Sequence, residues 1–338
     1  MNMSLLAIDL AKNVFQLHGV DESGQPVLCR QVSRKKLPQV VHNIPPCRVV
    51  MEACGSAHHW ARRFQAMGHT VELIAAQFVK PFVKSQKNDR ADAEAIAEAA
   101  SRPTMRYVPI KTIEQQDVQT LHRVRSLLMR DRIAQGNQIR GLLAEYGVIV
   151  PQGSTQVRKL LPAILEDADN DLTVLTRQMF AELYERLVVL DERIAHYDRQ
   201  IQQLHRASPQ SCRLEQVRGV GPLIATALLA SIGDAKAFKN GRQFAAWLGL
   251  VPRQHSSGGK PRLLGITKRG NTYLRMILVH GARAVVAQAT RRDDSFSQWI
   301  NALRKRRGMN VTVVAVANKT ARVIWAMLAK GEDYRPAV

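Results

Sequence analysis

Four carboxylates in this sequence stand where they could do chemistry. Asp9 closes the apolar run "LLAID", Glu52 closes "RVVME", and Asp89 and Asp92 lie three apart in "KNDRADAEAIA". A spacing of three puts both side chains on one helix face. Acids at the ends of neighbouring strands, met by acids from a later helix, make an oxygen-rich pocket suited to Mg2+, which can clamp the oxygens of a phosphoryl transfer. Without a cation, four clustered carboxylates repel one another. Each acid also has a plainer role. Asp9 can cap the break before Ala11, Asp89 can be the N-cap of its helix, and Asp92 and Glu94 can favour a helix N-terminus. His58 and His59 follow Glu52, but no third imidazole or thiolate is spaced to join them. They read as helix-surface residues or phosphate contacts.

A second stretch, "QHSSGGKPRLLGITKRGNTYLR" (254–275), sets Ser256 and Ser257 beside two glycines inside a run of cations. Alone it reads as a solvated basic loop. Residues 253–310, however, carry 13 lysines and arginines against two acids, Asp293 and Asp294, a density beyond what a solvated face needs. Upstream, "LEQVRGVGPLIATALLASIGDAKAF" (214–238) has the helix–GxG–helix form that grips a DNA backbone. There Arg218, Gly219 and Gly221 would let a turn and the next helix N-terminus approach phosphate.

The elements that must position these residues follow from hydrophobic period and breakers. Residues 5–9, 14–20, 26–32, 48–52 and 70–74 read as strands, and 34–43, 56–67 and 89–101 as helices. Three strands followed by alternating helix and strand is the order of ribonuclease-H-like folds, an analogy of order. From Thr112 to Tyr146 the pattern is one long polar helix. After Pro151 a second is marked by Leu172, Leu175, Met179, Leu183, Leu187, Leu190, Ile194, Tyr197, Ile201 and Leu204. Its steps of three and four make a coiled-coil seam, either an antiparallel hairpin closed on itself or an arm that meets another protomer. Three regions result: 1–108 mixed α/β, 109–207 helical and coiled coil, and 208–338 mainly α.

The balance of 49 Lys+Arg against 28 Asp+Glu gives +21 in 338 residues. Such a charge favours a polyanion and steeply salt-dependent binding to nucleic acid. Aromatics are 5%, no signal peptide opens the chain and no membrane span is expected. The four cysteines lack zinc spacing. A cytoplasmic protein with reduced thiols is expected.

Several motifs in order resemble one family. "AIDLAK", "MEACGSAHHWARRF" and "KNDRADAEAIA" resemble the DEDD transposases of bacterial insertion sequences, in the family numbered one hundred and ten that includes the Piv-type invertases. "VRGVGPLIATALLASIGD", "FAAWLGLVPRQHSSGGKPR" and "ITKRGNTYLR" resemble its C-terminal transposase domain, and the His-Ser-Ser-Gly-Gly stretch is most similar to the eleven-eleven subgroup. The resemblance implies a RuvC-like ribonuclease-H fold, with Asp9, Glu52, Asp89 and Asp92 as an Mg2+-binding tetrad, and a helix-hairpin-helix in the mainly α C-terminal domain. It also implies a serine nucleophile, here Ser257 before Gly258, with Ser256 as a neighbour that sequence alone leaves open. Arg253, Lys260, Arg262, Lys268, Arg269 and Arg275 would then neutralise phosphates. Members are RNA-guided recombinases, so donor and target DNA, a structured guide RNA and a dimeric or tetrameric homo-oligomer are the implied partners. Thr267 departs from the serine common before the lysine in relatives. Three other readings stay open on the residues alone: a hydrolytic junction nuclease that leaves Ser257 idle, a nonenzymatic nucleic-acid binder, and a sugar kinase of the actin-like superfold. The last lacks a glycine-rich nucleotide clamp after Asp9.

Overall fold

The computed structural model describes residues 3–84, 88–153 and 155–335. The chain divides into two compact units, Met1–Ile113 and Glu114–Val338.

Unit 1 is built on a six-stranded mixed sheet. Its strands are β1 (Leu5–Leu10), β2 (Val14–Val20), β3 (Pro26–Ser33), β4 (Arg48–Glu52), β5 (Thr70–Ile74) and β6 (Tyr107–Val108), in the spatial order β3-β2-β1-β4-β5-β6. The β1, β2 and β3 meander is antiparallel, while β4 joins β1, and β5 joins β4, in parallel. The added β6 pairs antiparallel with β5, an edge strand the sequence pattern did not announce. Strand alternation sorts the side chains. Leu6, Ile8, Phe15, Leu17, Val49 and Met51 bury one face under α1 (Leu37–His42) and α2 (Ala57–Gln65), where Trp60 and Phe64 meet them. Leu5, Ala7, Val50 and Ile74 point the other way. That face is covered by α4 (Asp89–Ala100), through Ala95, Ile96, Ala99 and Ala100; the short α3 (Ala76–Val79) precedes it. Alanines at the contact let α4 lie close to the strands, which brings its first turn within electrostatic reach of β1.

Unit 2 is mainly helical. Its long helices are α5 (Ile113–Ala144), which begins at the last residue of unit 1, and α7 (Val174–Ala207), with α6 (Gln156–Glu166) between them. α5 and α7 run antiparallel. Arg125 donates to Asp198 at 2.5 Å, Arg132 pairs with Asp191, and Gln135 Nε2 donates to the Leu183 carbonyl at 2.6 Å. Arg158 of α6 reaches the same Asp191 at 2.9 Å. Along the seam, Leu187, Leu190, Ile194 and Ile201 are buried, while Leu175, Met179 and Leu204 face solvent; Leu172 is buried but precedes the helix.

The remaining elements are α8 (Pro209–Glu215), α9 (Pro222–Ile232), α10 (Gly241–Trp247), the two-stranded β7 (Pro252–Gln254) and β8 (Leu263–Ile266), then α11 (Thr272–Gln288), α12 (Ser295–Arg307) and α13 (Met309–Lys330). Ile224, Leu228, Phe244, Leu274, Leu278, Val286, Val316 and Ile324 form their common core. Against the expectation that no segment would be, α13 is by length and composition apolar enough to cross a membrane. Its apolar side chains Val313, Val316, Ala321, Ile324 and Met327 instead fill this core. The four cysteines are unpaired.

Candidate active site

In unit 1 the sheet register aligns two of the acids. Ile8 of β1 lies level with Met51 of the parallel β4, so Asp9 and Glu52 follow at the same end of adjacent strands. Alternation turns both toward the face carrying Ala7 and Val50, the face that α4 covers. Asp89 and Asp92 occupy the first turn of α4, where the helix dipole favours negative charge. Asn88, not Asp89, caps the helix: its side chain accepts the Ala91 N–H at 2.8 Å. Asp89 therefore stands exposed with no capping duty.

The electrostatics join the four. Burial raises the Asp9 carboxyl from 3.8 to about 6, and the charges of Asp92, Asp89 and Glu52 add to the rise in that order. The nearby Cys54 thiol is also pushed up, by burial and then by Glu52 and Asp9. Among the described residues, no three carboxylates, imidazoles or thiolates already converge on one point as metal ligands. The four acids share one field without forming a closed cage. As hard oxygen donors whose mutual repulsion a cation would relieve, they fit a divalent ion.

The histidines after Glu52 do other work. His58 Nε2 lies 2.8 Å from Lys111 Nζ, and His59 packs edge-on against Trp60 at 5.1 Å. Burial and the charges of Arg62, Arg63 and Arg34 hold His59 below the ordinary imidazole range. One neighbour escaped the sequence reading. Gln16 of β2 stands directly opposite Asp9 in the antiparallel register, and its buried amide donates to Leu17 O at 3.3 Å. Only knowledge of the strand pairing could have found it.

In unit 2, β7 and β8 form a hairpin whose tip is Ser257–Gly258–Gly259–Lys260. Lys260 N–H donates to Ser257 O at 3.0 Å, and both glycines have positive φ, +55° and +74°. A tight hairpin turn of the I′ type requires positive φ at both central positions, which is why glycines stand there. The two serines differ. Ser256 Oγ accepts from Arg262 N at 3.1 Å and from Gln254 Nε2 at 3.0 Å. Ser257 is exposed, and its hydroxyl has no hydrogen-bond partner among the described residues. Arg253, Lys260 and Arg262 are exposed on the same hairpin.

The turn after β8 carries Lys268 and Arg269, both exposed. Lys268 holds φ +54°, left-handed for a non-glycine, and its N–H donates to Gly249 O at 3.2 Å. A Cβ at Gly270 would run into the Trp247 carbonyl, so the turn is pressed onto the end of α10. Thr267 keeps the hydroxyl that a serine would supply, 3.5 Å from Arg269 N. Arg275, expected to meet phosphate, is instead buried at 8% exposure. It donates to Leu248 O at 3.1 Å, Arg269 O at 2.7 Å and Thr272 Oγ1 at 3.2 Å, and burial lowers its pKa. It anchors the turn that carries the free cations.

At the glycine turn between α8 and α9, Arg218 Nη1 is held by both Asp294 oxygens at 3.0 and 2.9 Å. That contact, helped by the Ser297 hydrogen bonds and opposed by burial, brings Asp294 down to about 2. Gly219 has φ +82°, and a Cβ there would meet Val285 at 2.7 Å and the Gly281 carbonyl at 2.8 Å. Its close approach is to α11 rather than to a ligand. Gly221 opens α9 with free space around it. Of the three, it keeps the geometry expected of a phosphate-facing residue.

The chain has relatives among known proteins. Residues 6–148 match the DEDD transposase model of the IS110 type, and residues 211–298 match the transposase IS116/IS110/IS902 family. The chain is 52% identical to a probable family 20 transposase of Pseudomonas aeruginosa, over 99% of this chain and 100% of that one. It is 47% identical to the transposase for insertion sequence element IS1111A of Coxiella burnetii, over 99% and 92%. To the transposase for insertion sequence element IS1328 of Yersinia enterocolitica it is 39% identical, over 98% of each chain.

Proposed function

The chain belongs to the IS110/IS116/IS902 transposase family, enzymes that cut and rejoin DNA, and we propose that it does so through Ser257. In this reading Ser257 Oγ forms a bond to a DNA phosphorus. The deoxyribose oxygen on that phosphorus leaves and takes up the proton that the serine gives up, relayed through a base or solvent. One phosphoester replaces another, so bond energy is conserved. A hydroxyl from a second strand then attacks, releases Ser257 and rejoins DNA without ATP.

The observation that carries the proposal is the contrast at the hairpin tip, where Ser256 is engaged twice and Ser257 presents an unengaged hydroxyl. Arg253, Lys260 and Arg262 are exposed on the same hairpin, Lys268 and Arg269 on the turn that follows it, and all five suit phosphate neutralisation. Gly221 and the start of α9 supply a further approach to the backbone.

Asp9, Glu52, Asp89 and Asp92 would hold a divalent cation, Mg2+ in this proposal, which when bound would neutralise phosphate charge. The strand order β3-β2-β1-β4-β5, with the first three antiparallel and the next two parallel, supports a RuvC-like ribonuclease-H assignment for unit 1. The net charge of +21 supports nucleic-acid partners. A structured guide RNA, donor and target DNA, a homo-oligomer and a cytoplasmic setting complete the reading.

The test expresses the protein with its native flanking DNA, recovers it under denaturing conditions and assays for covalently attached DNA. An adduct present in wild type and lost in Ser257→Ala supports the proposal. Free nicked ends that still depend on Asp92, with no adduct, would make the protein a hydrolytic nuclease.

A further inference from the structure

Far along unit 2 from the serine motif in sequence, α12 presents an aromatic pair. Phe296 and Trp299 lie one turn apart, ring centroids 5.7 Å from each other and planes within 11°. Lys319 of α13 sets its ammonium over both rings, 4.9 Å from Phe296 and 4.7 Å from Trp299. A cation over both rings holds the stacked pair in place. Trp299 nonetheless remains 37% exposed, while Trp325 of α13 donates its indole N–H to Ala235 O and Phe238 O.

The exposed indole opens onto a cleft of about 710 Å3 between α10, α12 and α13. That volume is within the ~300–1,000 Å3 usual for clefts that hold small ligands. Its charged lining is Arg242, Lys319 and Arg322, three cations with no carboxylate among the lining residues. Arg242 and Arg322 are exposed, so both can reach a ligand. The cleft is held narrow by a close approach of backbones: a Cβ at Gly241 would meet Arg322 Cα at 3.0 Å and its carbonyl at 3.1 Å. A rigid aromatic face beside uncompensated cations is the combination that takes a nucleobase on one side and its phosphates on the other.

We propose that this cleft binds an unpaired nucleotide of a nucleic-acid strand, its base stacked on Trp299 and its phosphates met by Arg242 and Arg322. A paired duplex hides its base faces and would not use the platform. A free nucleotide segment of DNA or of RNA offers the same π face and the same phosphate, so the chemistry is shared by the two. The site rests on the reading that this protein handles nucleic acid, but it needs no step at Ser257.

The test measures binding of the full-length protein to three labelled probes by fluorescence anisotropy across a salt series: a single-stranded DNA, a single-stranded RNA of the same sequence, and a blunt duplex. Trp299→Ala, Trp299→Phe and Arg322→Gln are compared with wild type. Trp299→Ala is expected to weaken one or both single strands by on the order of tenfold and leave the duplex unchanged, with Trp299→Phe close to wild type. Whichever single strand responds names the source. Arg322→Gln lowers the salt slope on that strand by about 0.7. Unchanged single-strand binding in both Trp299→Ala and Arg322→Gln overturns the site, as does an equal loss on all three probes. A wild type that binds no probe overturns the nucleic-acid reading with it, whereas loss of the Ser257 adduct proposal alone leaves these affinities untouched.

Discussion

Ser256 Oγ accepts the backbone N–H of Arg262 across the hairpin at 3.1 Å, so the first serine of the pair is part of the scaffold that displays the second. Removing that hydroxyl costs two exposed hydrogen bonds, at most about 0.5–1.5 kcal/mol each, and loosens the tip without taking away a nucleophile. Removing the Ser257 hydroxyl costs the fold nothing. Ser256→Ala is therefore expected to keep the covalent DNA adduct at reduced yield, and Ser257→Ala to lose it while melting at the wild-type temperature. Adduct on a denaturing gel and Tm by calorimetry are the paired readouts. Adduct retained in Ser257→Ala and lost in Ser256→Ala reverses the assignment.

The two glycines make a separable prediction. Gly258 and Gly259 hold φ of +55° and +74°, yet an added Cβ at either would meet nothing within 4 Å. The constraint is backbone conformation alone. A β-branched residue in the left-handed region costs about 1–2 kcal/mol, whereas asparagine adopts it readily and Asn-Gly is the preferred I′ pair. Gly258→Asn should retain most adduct formation and Gly258→Val should lose about tenfold or more. Equal activity of the two would mean that the turn geometry does not matter.

Much of this was readable from residue order because unit 1 states itself locally. Five of its six strands sit where period-2 apolar runs and turn residues placed them, and the four acids were found from strand ends and an i,i+3 spacing. What escaped depended on contacts distant in sequence. The β6 edge is two residues long and carries no pattern. Arg275 looks like any cation of a basic run until its chain returns to the Leu248 carbonyl, 27 positions away. The GVG turn read as a phosphate grip because glycine permits close approach. Sequence alone could not say that for Gly219 the approaching surface is Gly281 of α11.

The raised Asp9 carboxyl has a sign that can be checked. Its folded pKa of about 6 lies above its ordinary 3.8, so between those values the folded protein holds more protons than the unfolded chain. Without added metal, stability should rise as pH falls from 6 toward 4, as far as this group contributes. Asp9→Asn removes the repulsion and should raise Tm at pH 7.5 in chelator. The stabilisation given by Mg2+ should show the opposite trend, largest at pH 7.5, small at pH 5 and abolished in Asp9→Asn, because a ligand for the cation must be ionised. Thermal melts with and without Mg2+ at the two pH values decide it.

His122 supplies a second titration in unit 2. It is almost fully buried, with Nδ1 3.0 Å from Tyr273 OH and Nε2 3.0 Å from Thr226 Oγ1. Thr226 spends its proton on Pro222 O at 2.7 Å, so it accepts from His122 Nε2–H, and Nδ1 accepts from Tyr273. A neutral ring satisfies both bonds, and burial, then Arg125, holds the pKa down at about 4. Stability from this group is complete above pH 6.5 and falls as pH drops through 4, by up to about 3 kcal/mol. His122→Gln should lower Tm at pH 7.5 and flatten the loss between pH 6.5 and 4. An unchanged acid profile in the variant would assign the loss elsewhere.

Arg269, in the turn before α11, and Arg275, in the first turn of α11, should respond differently to substitution. The Arg275 guanidinium donates to two carbonyls and a hydroxyl in a buried fork that lysine cannot reproduce. Arg275→Lys is expected to destabilise by about 2–3 kcal/mol, because a buried charge loses its acceptors. It should leave the slope of log affinity for duplex DNA against log salt where it was, since no phosphate contact is removed. Arg269→Ala, on an exposed side chain, should do the reverse, with Tm unchanged and the slope reduced by about 0.9, the value of one neutralised phosphate. Calorimetry and a salt titration on the same two proteins separate the roles. A reduced slope in Arg275→Lys at wild-type Tm would mean that this arginine turns outward when DNA binds and meets the backbone itself.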